Sequence, residues 1–239
     1  MATNHEQSDG DRVRIWDVPT RVFHWSFAGL ILFAYISAEE DSPLNQWHMI
    51  AGNSVAVLLA FRIVWGFAGG EYARFASFLM TGHFFSHIGQ MLRLRVEPTP
   101  GHNPLGGIAV LLMLLLAGAA VMTGLVLNGE GPHEAFGKAM IILAGIHVLA
   151  VFAMSLLVRE NLARAMVTGT KPVTPDRSWK HAARSPVLAW ILALASSVGT
   201  FAAIRANDPL AFSPRRTESL EENGNERGSH VGATELDDD

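Results

Sequence analysis

His133-Glu134-Ala135-Phe136-Gly137, running on through apolar residues to Ala144-Gly145-Ile146-His147, sets two histidines fourteen residues apart in one long hydrophobic stretch. Read as a helix, that spacing separates the imidazoles by about 21 Å along the axis and, at roughly 100° per residue, leaves them within about 40° of each other. They share a face. A titratable ring is costly in an apolar span, so a matched pair aimed at one side implies something on that side that takes nitrogen ligands.

Outward from this stretch, the apolar residues come in long runs. The chain has 239 residues, 49% of them hydrophobic, and its mean hydropathy is positive. Val22–Ser37, Trp47–Phe67, Gly106–Leu127, Ala135–Val158 and Pro186–Ile204 are each long enough, with their flanks, to cross about 30 Å of hydrocarbon. The expected fold is an all-α integral membrane bundle of five transmembrane helices in contact with membrane lipid. With histidines inside it, haem iron is the obvious ligand-seeking group.

The chain contains no cysteine, which excludes disulfides, iron–sulfur clusters and covalent haem attachment within it. Any haem is held by coordination alone. The net charge of −4 reflects a C-terminal tail, Glu218 to Asp239, rather than a folded surface, and nucleic acid is not an expected partner.

Residues 1–11 read as a disordered arm, and the late, histidine-bearing first run is not a secretory signal. Asp17-Val18-Pro19 starts the first helix, with Asp17 as cap and Pro19 in the first turn; Arg21 and His24 then lie three apart on one face. A short acidic turn, Glu39 to Asp41, precedes Trp47-His48 at the head of the second helix. His48 and Arg62 are again fourteen apart. An arginine there can meet a buried anion such as a haem propionate, or snorkel to the headgroups.

Phe75 to Leu94 reads as an amphipathic helix on the membrane surface, and its His83 and His87, though spaced i, i+4, have no third ligand nearby. Asn103-Pro104 caps and opens the third long helix, whose Ala117-Gly118-Ala119-Ala120 and Gly124 suit close packing. Ser185-Pro186 looks like a cap followed by proline at the start of the fifth.

Thirteen of the eighteen Lys and Arg residues fall in the opening stretch through Arg21, in the connection after helix two counted from Arg62, and in the connection after helix four. That excess puts the N-terminus in the cytoplasm and the tail outside. The histidines then fall into two layers, His48 and His133 toward the outside and His24 and His147 toward the inside. Two histidines per iron fill both axial positions and favour electron transfer over oxygen chemistry.

Arg14-Ile15-Trp16-Asp17-Val18-Pro19-Thr20-Arg21-Val22-Phe23-His24-Trp25, Trp47-His48 with Ala51-Gly52, Phe61-Arg62 with Trp65-Gly66-Phe67, Tyr72-Ala73-Arg74-Phe75, Gly101-His102-Asn103-Pro104-Leu105-Gly106-Gly107, His133-Glu134 and His147 together resemble the bacterial cytochrome b-561 family. That family is close to the b-type cytochrome subunits of nickel–iron hydrogenases. The resemblance covers about residues 12–171. It implies a four-helix core holding two b-type haems, His24 and His147 on the inner and His48 and His133 on the outer, with Arg21 and Arg62 toward the propionates.

Such proteins pass electrons between membrane quinone and periplasmic donors or acceptors, c-type cytochromes or hydrogenase among them, in a bacterial inner membrane. The chain would then be the electron-transfer component of a membrane oxidoreductase. Residues 172–205 form a linker and fifth helix outside that core, and 206–239 an acidic tail. Gly82-His83 stands where relatives often have Gly-Pro. Two other readings are a superoxide:quinone oxidoreductase and a haem-free transporter with a histidine relay.

Overall fold

Asp17 opens the first long helix in the way its sequence implies. In a computed structural model, which describes residues 12–39, 42–79, 101, 104–126, 131–172 and 181–214, its Oδ1 accepts from the Thr20 backbone N–H at 2.9 Å. Pro19 sits in the first turn, where no N–H is needed, and α1 runs over Val18–Ile36. A 3-10 turn, Asn45–Trp47, leads into α2, His48–Ala68. After a second 3-10 turn, Glu71–Ala73, comes the short α3, Ala76–Leu79.

α4 (Pro104–Val126) and α5 (Pro132–Val158) follow, then α6 (Leu162–Thr168), capped by Asn161, and α7 (Val187–Asn207). The fold is the expected all-α membrane bundle. Among the described residues four segments are long and apolar enough to cross a membrane: Asn45–Ala68, Leu105–Leu125, Pro132–Val158 and Val187–Asn207. In α1 the polar Thr20, Arg21 and His24 dilute an otherwise apolar 19-residue helix that packs along α2. The remainder of the surface helix expected to reach Leu94, with His83 and His87, lies outside the described residues, as do Asn103, the arm 1–11 and most of the acidic tail.

α2 is the central helix, packed against α1, α4 and, most extensively, α7, while α4 and α5 form a close pair that meets α1 along a narrow seam. Lipid tails are as apolar as leucine, so close packing rather than water exclusion joins such helices. Small residues supply it. Ala117 of α4 is buried with Phe23, Phe27, Val55, Leu59 and Met140, and Ala189 and Ala193 of α7 are buried against Trp65 of α2. α5 buries only Met140 and Met154 among its described side chains, leaving much of its surface to lipid or to another apolar body.

A two-stranded antiparallel sheet, absent from the sequence reading, ties the chain together at one end. β1 (Arg12–Arg14) pairs with β2 (Thr170–Pro172), Val13 opposite Lys171. The Gly169 carbonyl extends the pairing by accepting from Ile15 and Trp16 at 2.9 and 3.0 Å. Gly169 itself has φ 82°, and a Cβ there would run into Arg21 and the Trp16 carbonyl. We refer to this as the proximal end of the bundle, and to the end carrying Ile36 and His48 as distal.

Asp17 does more than cap. Its Oδ2 accepts from Trp65 Nε1 at 3.1 Å and from Ser185 Oγ at 3.5 Å, joining the start of α1, the end of α2 and the entry to α7. Ser185 is therefore not the helix cap its position suggests. Pro186 holds that place in extended conformation and has no side-chain group to cap with, while the Ser185 hydroxyl is turned to Asp17. At the distal end Asn53 Nδ2 donates to the Ala211 carbonyl at 2.7 Å, and Phe212 packs on Phe201, so the segment after α7 folds back on α2.

Candidate functional site

At the distal end the first residue of α2 meets the second residue of α5. The His48 and His133 rings stand edge to face, centroids 5.8 Å apart and planes at 88°. Each Nδ1 lies 2.8 Å from a backbone carbonyl, His48 from Ala34 of α1 and His133 from Ala120 of α4. A carbonyl can only accept, so both Nδ1 atoms carry the hydrogen and both Nε2 atoms keep the lone pair that binds metal. Two imidazoles sharing one ion through bonds of about 2 Å need centroids about 6 Å apart, close to the separation found.

Toward the proximal end His24 of α1 and His147 of α5 are both half-buried, on helices that touch each other. His24 packs edge to face on Trp25. Around it a group of buried polar atoms has no hydrogen-bond partner among the described residues: Thr20 Oγ1, Arg21 Nε, His24 Nδ1 and Arg62 Nη1. Buried donors without acceptors are costly, and two guanidinium groups among them suit an anionic ligand.

Arg62 does not snorkel. It is 2% exposed, its Nη2 donates to the Ala73 carbonyl at 3.1 Å, and its guanidinium lies 4.9 Å from the Phe75 ring and 5.8 Å from Phe23. The Asp17 carboxylate provides a favourable countercharge. Arg21 is half-buried, its stem and guanidinium laid over Gly169.

Among the described residues no three His, Cys, Asp or Glu side chains converge on a point. A bare ion would therefore find two protein ligands at most. A flat chelate that brings four equatorial nitrogens of its own needs only two axial ones, and the paired histidines fit that requirement. Gly52 and Gly137, each one turn beyond a distal histidine, are only half-exposed, yet a Cβ on either would meet nothing within 4 Å.

Sequence reasoning missed the partners that aim these groups: the carbonyls of Ala34, Ala120 and Ala73, and the crowding of His133 against Gly124. Backbone acceptors have no residue-type signature, so only the helix arrangement reveals them.

Residues 15–169 match the family model described as prokaryotic cytochrome b561. Two curated proteins, each termed a probable Ni/Fe-hydrogenase B-type cytochrome subunit, are similar to the chain. The one from Bradyrhizobium diazoefficiens is 22% identical over 66% of this chain and 85% of its own length, and the one from Rhizobium leguminosarum bv. viciae is 25% identical over 66% and 88%. No solved structure matches the chain.

Proposed function

The chain belongs to the prokaryotic cytochrome b561 family, and we propose that it carries electrons across a bacterial inner membrane, between quinone and a periplasmic redox protein, through two b-type haems. The observation that carries this reading is the facing His48 and His133, each with Nδ1 engaged and Nε2 left for an iron. His24 and His147 are the ligands proposed for the second haem. Arg21 and Arg62, with Thr20, supply the donors for propionates at the proximal end, where Arg21 Nε, Arg62 Nη1 and Thr20 Oγ1 have no hydrogen-bond partner among the described residues.

Bound in these places, haem supplies a reversible one-electron couple at each depth. The protein's own share is to fix the imidazoles, neutralise the propionates and keep water from the irons. Held by two histidines each, such haems would be left with electron transfer as their chemistry. The exposed Arg12, Arg14, Arg159, Arg164 and Arg184 around the proximal end support a cytoplasmic placement of that end. The likeness to hydrogenase cytochrome subunits supports a redox protein as the partner at the opposite face.

The test is a reduced-minus-oxidised spectrum of the purified protein with a haem-to-protein ratio. Two b-type haems per chain are expected, oxidised by a quinone added in vesicles. A protein without b-type absorption overturns the proposal in favour of the haem-free transporter, and one haem per chain overturns the two-layer arrangement.

A further inference from the structure

Besides the arginines at the proximal end, the two histidine pairs differ in a hydrogen bond that bears on their electronics. Both distal rings donate Nδ1–H to a carbonyl at 2.8 Å. At the proximal pair His24 Nδ1 is buried without a partner, and no hydrogen bond from His147 is found among the described residues. Building on the haem reading above, we propose that these carbonyl bonds make the distal haem the lower-potential one of the two, with Gly124 as the positioning residue that allows the His133 bond.

The chemistry follows from the ligand. An imidazole whose far N–H is held by a strong acceptor is a better electron donor through Nε2, and a more basic axial ligand favours the oxidised iron. Two such ligands on one iron add their effects. A ring with no acceptor gives no such push.

The acceptors are available for specific reasons. Ala34 lies in the last turn of α1, which ends at Ile36, and carbonyls of a last turn have no N–H four residues ahead within the helix. Ala120 lies inside α4, where its carbonyl also receives Thr123 Oγ1 at 3.1 Å, so His133 must come in close beside the helix. Gly124 permits that approach. A Cβ built on it would stand 3.0 Å from His133 Nδ1 and 3.1 Å from Cε1, tighter than a ring accepts without shifting.

With the distal couple lower, an electron that enters there moves to the proximal haem downhill, and the reverse transfer is uphill. In the orientation proposed above, that favours inward flow.

Potentiometric titration of the haem-loaded protein, followed by its visible absorption, tests this. Two separate waves are expected. His48→Ala or His133→Ala should delete the lower wave, and His24→Ala the higher. Gly124→Ala should move the lower wave upward and leave the higher in place, a shift that loosened packing alone would not confine to one couple.

Loss of the higher wave in His48→Ala, coincident waves in the parent protein, or a Gly124→Ala variant in which neither or both waves move would each overturn the inference. Absence of b-type absorption in the parent would instead overturn the haem reading on which it rests.

Discussion

Trp65, at the proximal end of α2, donates its indole N–H to Asp17 Oδ2, 48 residues earlier in the chain, over 3.1 Å. The same carboxylate caps α1 through its other oxygen and receives Ser185 from the entry to α7. One side chain thus sets three helices against each other. Asp17→Ala should cost about 1 kcal/mol for the lost cap and about 1–3 kcal/mol for the orphaned indole. Asp17→Asn keeps one acceptor oxygen for the Thr20 cap but turns an NH2 donor toward the Trp65 N–H, so it should recover only the cap's share of the loss. Thermal unfolding in detergent, compared across the two variants, checks the ordering.

His48 and His133 face each other, while the 21 Å or so between His133 and His147 along α5 keeps those two from one iron. Replacing either His48 or His133 by alanine should therefore remove the same haem, and the double variant should lose no more than each single one. Two single variants that each retain a haem with a different spectrum, or a double variant that loses twice as much, would separate the pair.

Arg62 is a buried cation with one carbonyl partner and two aromatic neighbours. Replacing the charge by an apolar side chain removes its desolvation cost but also its bond to the Ala73 carbonyl and its attraction to Asp17, so Arg62→Met should destabilise by about 1–3 kcal/mol. Lysine keeps the charge but lacks the flat fork that lies against Phe75 and reaches Ala73. Arg62→Lys is therefore expected to be the less stable of the two, which chemical denaturation of the purified variants will show.

Orientation can be read by labelling, because the chain has no cysteine to give background. Leu210 is 62% exposed beyond α7, and Arg164 is exposed on α6 at the proximal end. A membrane-impermeant thiol reagent should label Leu210→Cys in spheroplasts and Arg164→Cys only in inverted vesicles. The opposite pattern would turn the bundle over and exchange the faces assigned to the two haems.

Much of this architecture is written locally. Each long helix follows from a run of apolar residues, and its limits from nearby signals such as Asp17 with Pro19, or Pro104 at the head of α4. The fourteen-residue spacings of His48 to Arg62 and His133 to His147 are likewise local, because helical rise and twist turn a count along the chain into a depth and a face. Ser185 shows the limit of such signals: its type and place read as a cap, yet Asp17 competes for its hydroxyl.

By itself, then, the sequence determined the long helices and their approximate limits, the place of each histidine along its helix and the basic excess toward one end. Only the tertiary structure decided which groups meet: β1 with β2, whose Arg12 and Thr170 are 158 residues apart, Trp65 and Ser185 with Asp17, Arg62 with the Ala73 carbonyl, and the distal histidines with Ala34 and Ala120. The reason is physical. Helix formation depends on each residue and its neighbours within about a turn, whereas these contacts depend on how separate helices lie side by side, and a backbone carbonyl is the same acceptor in every residue.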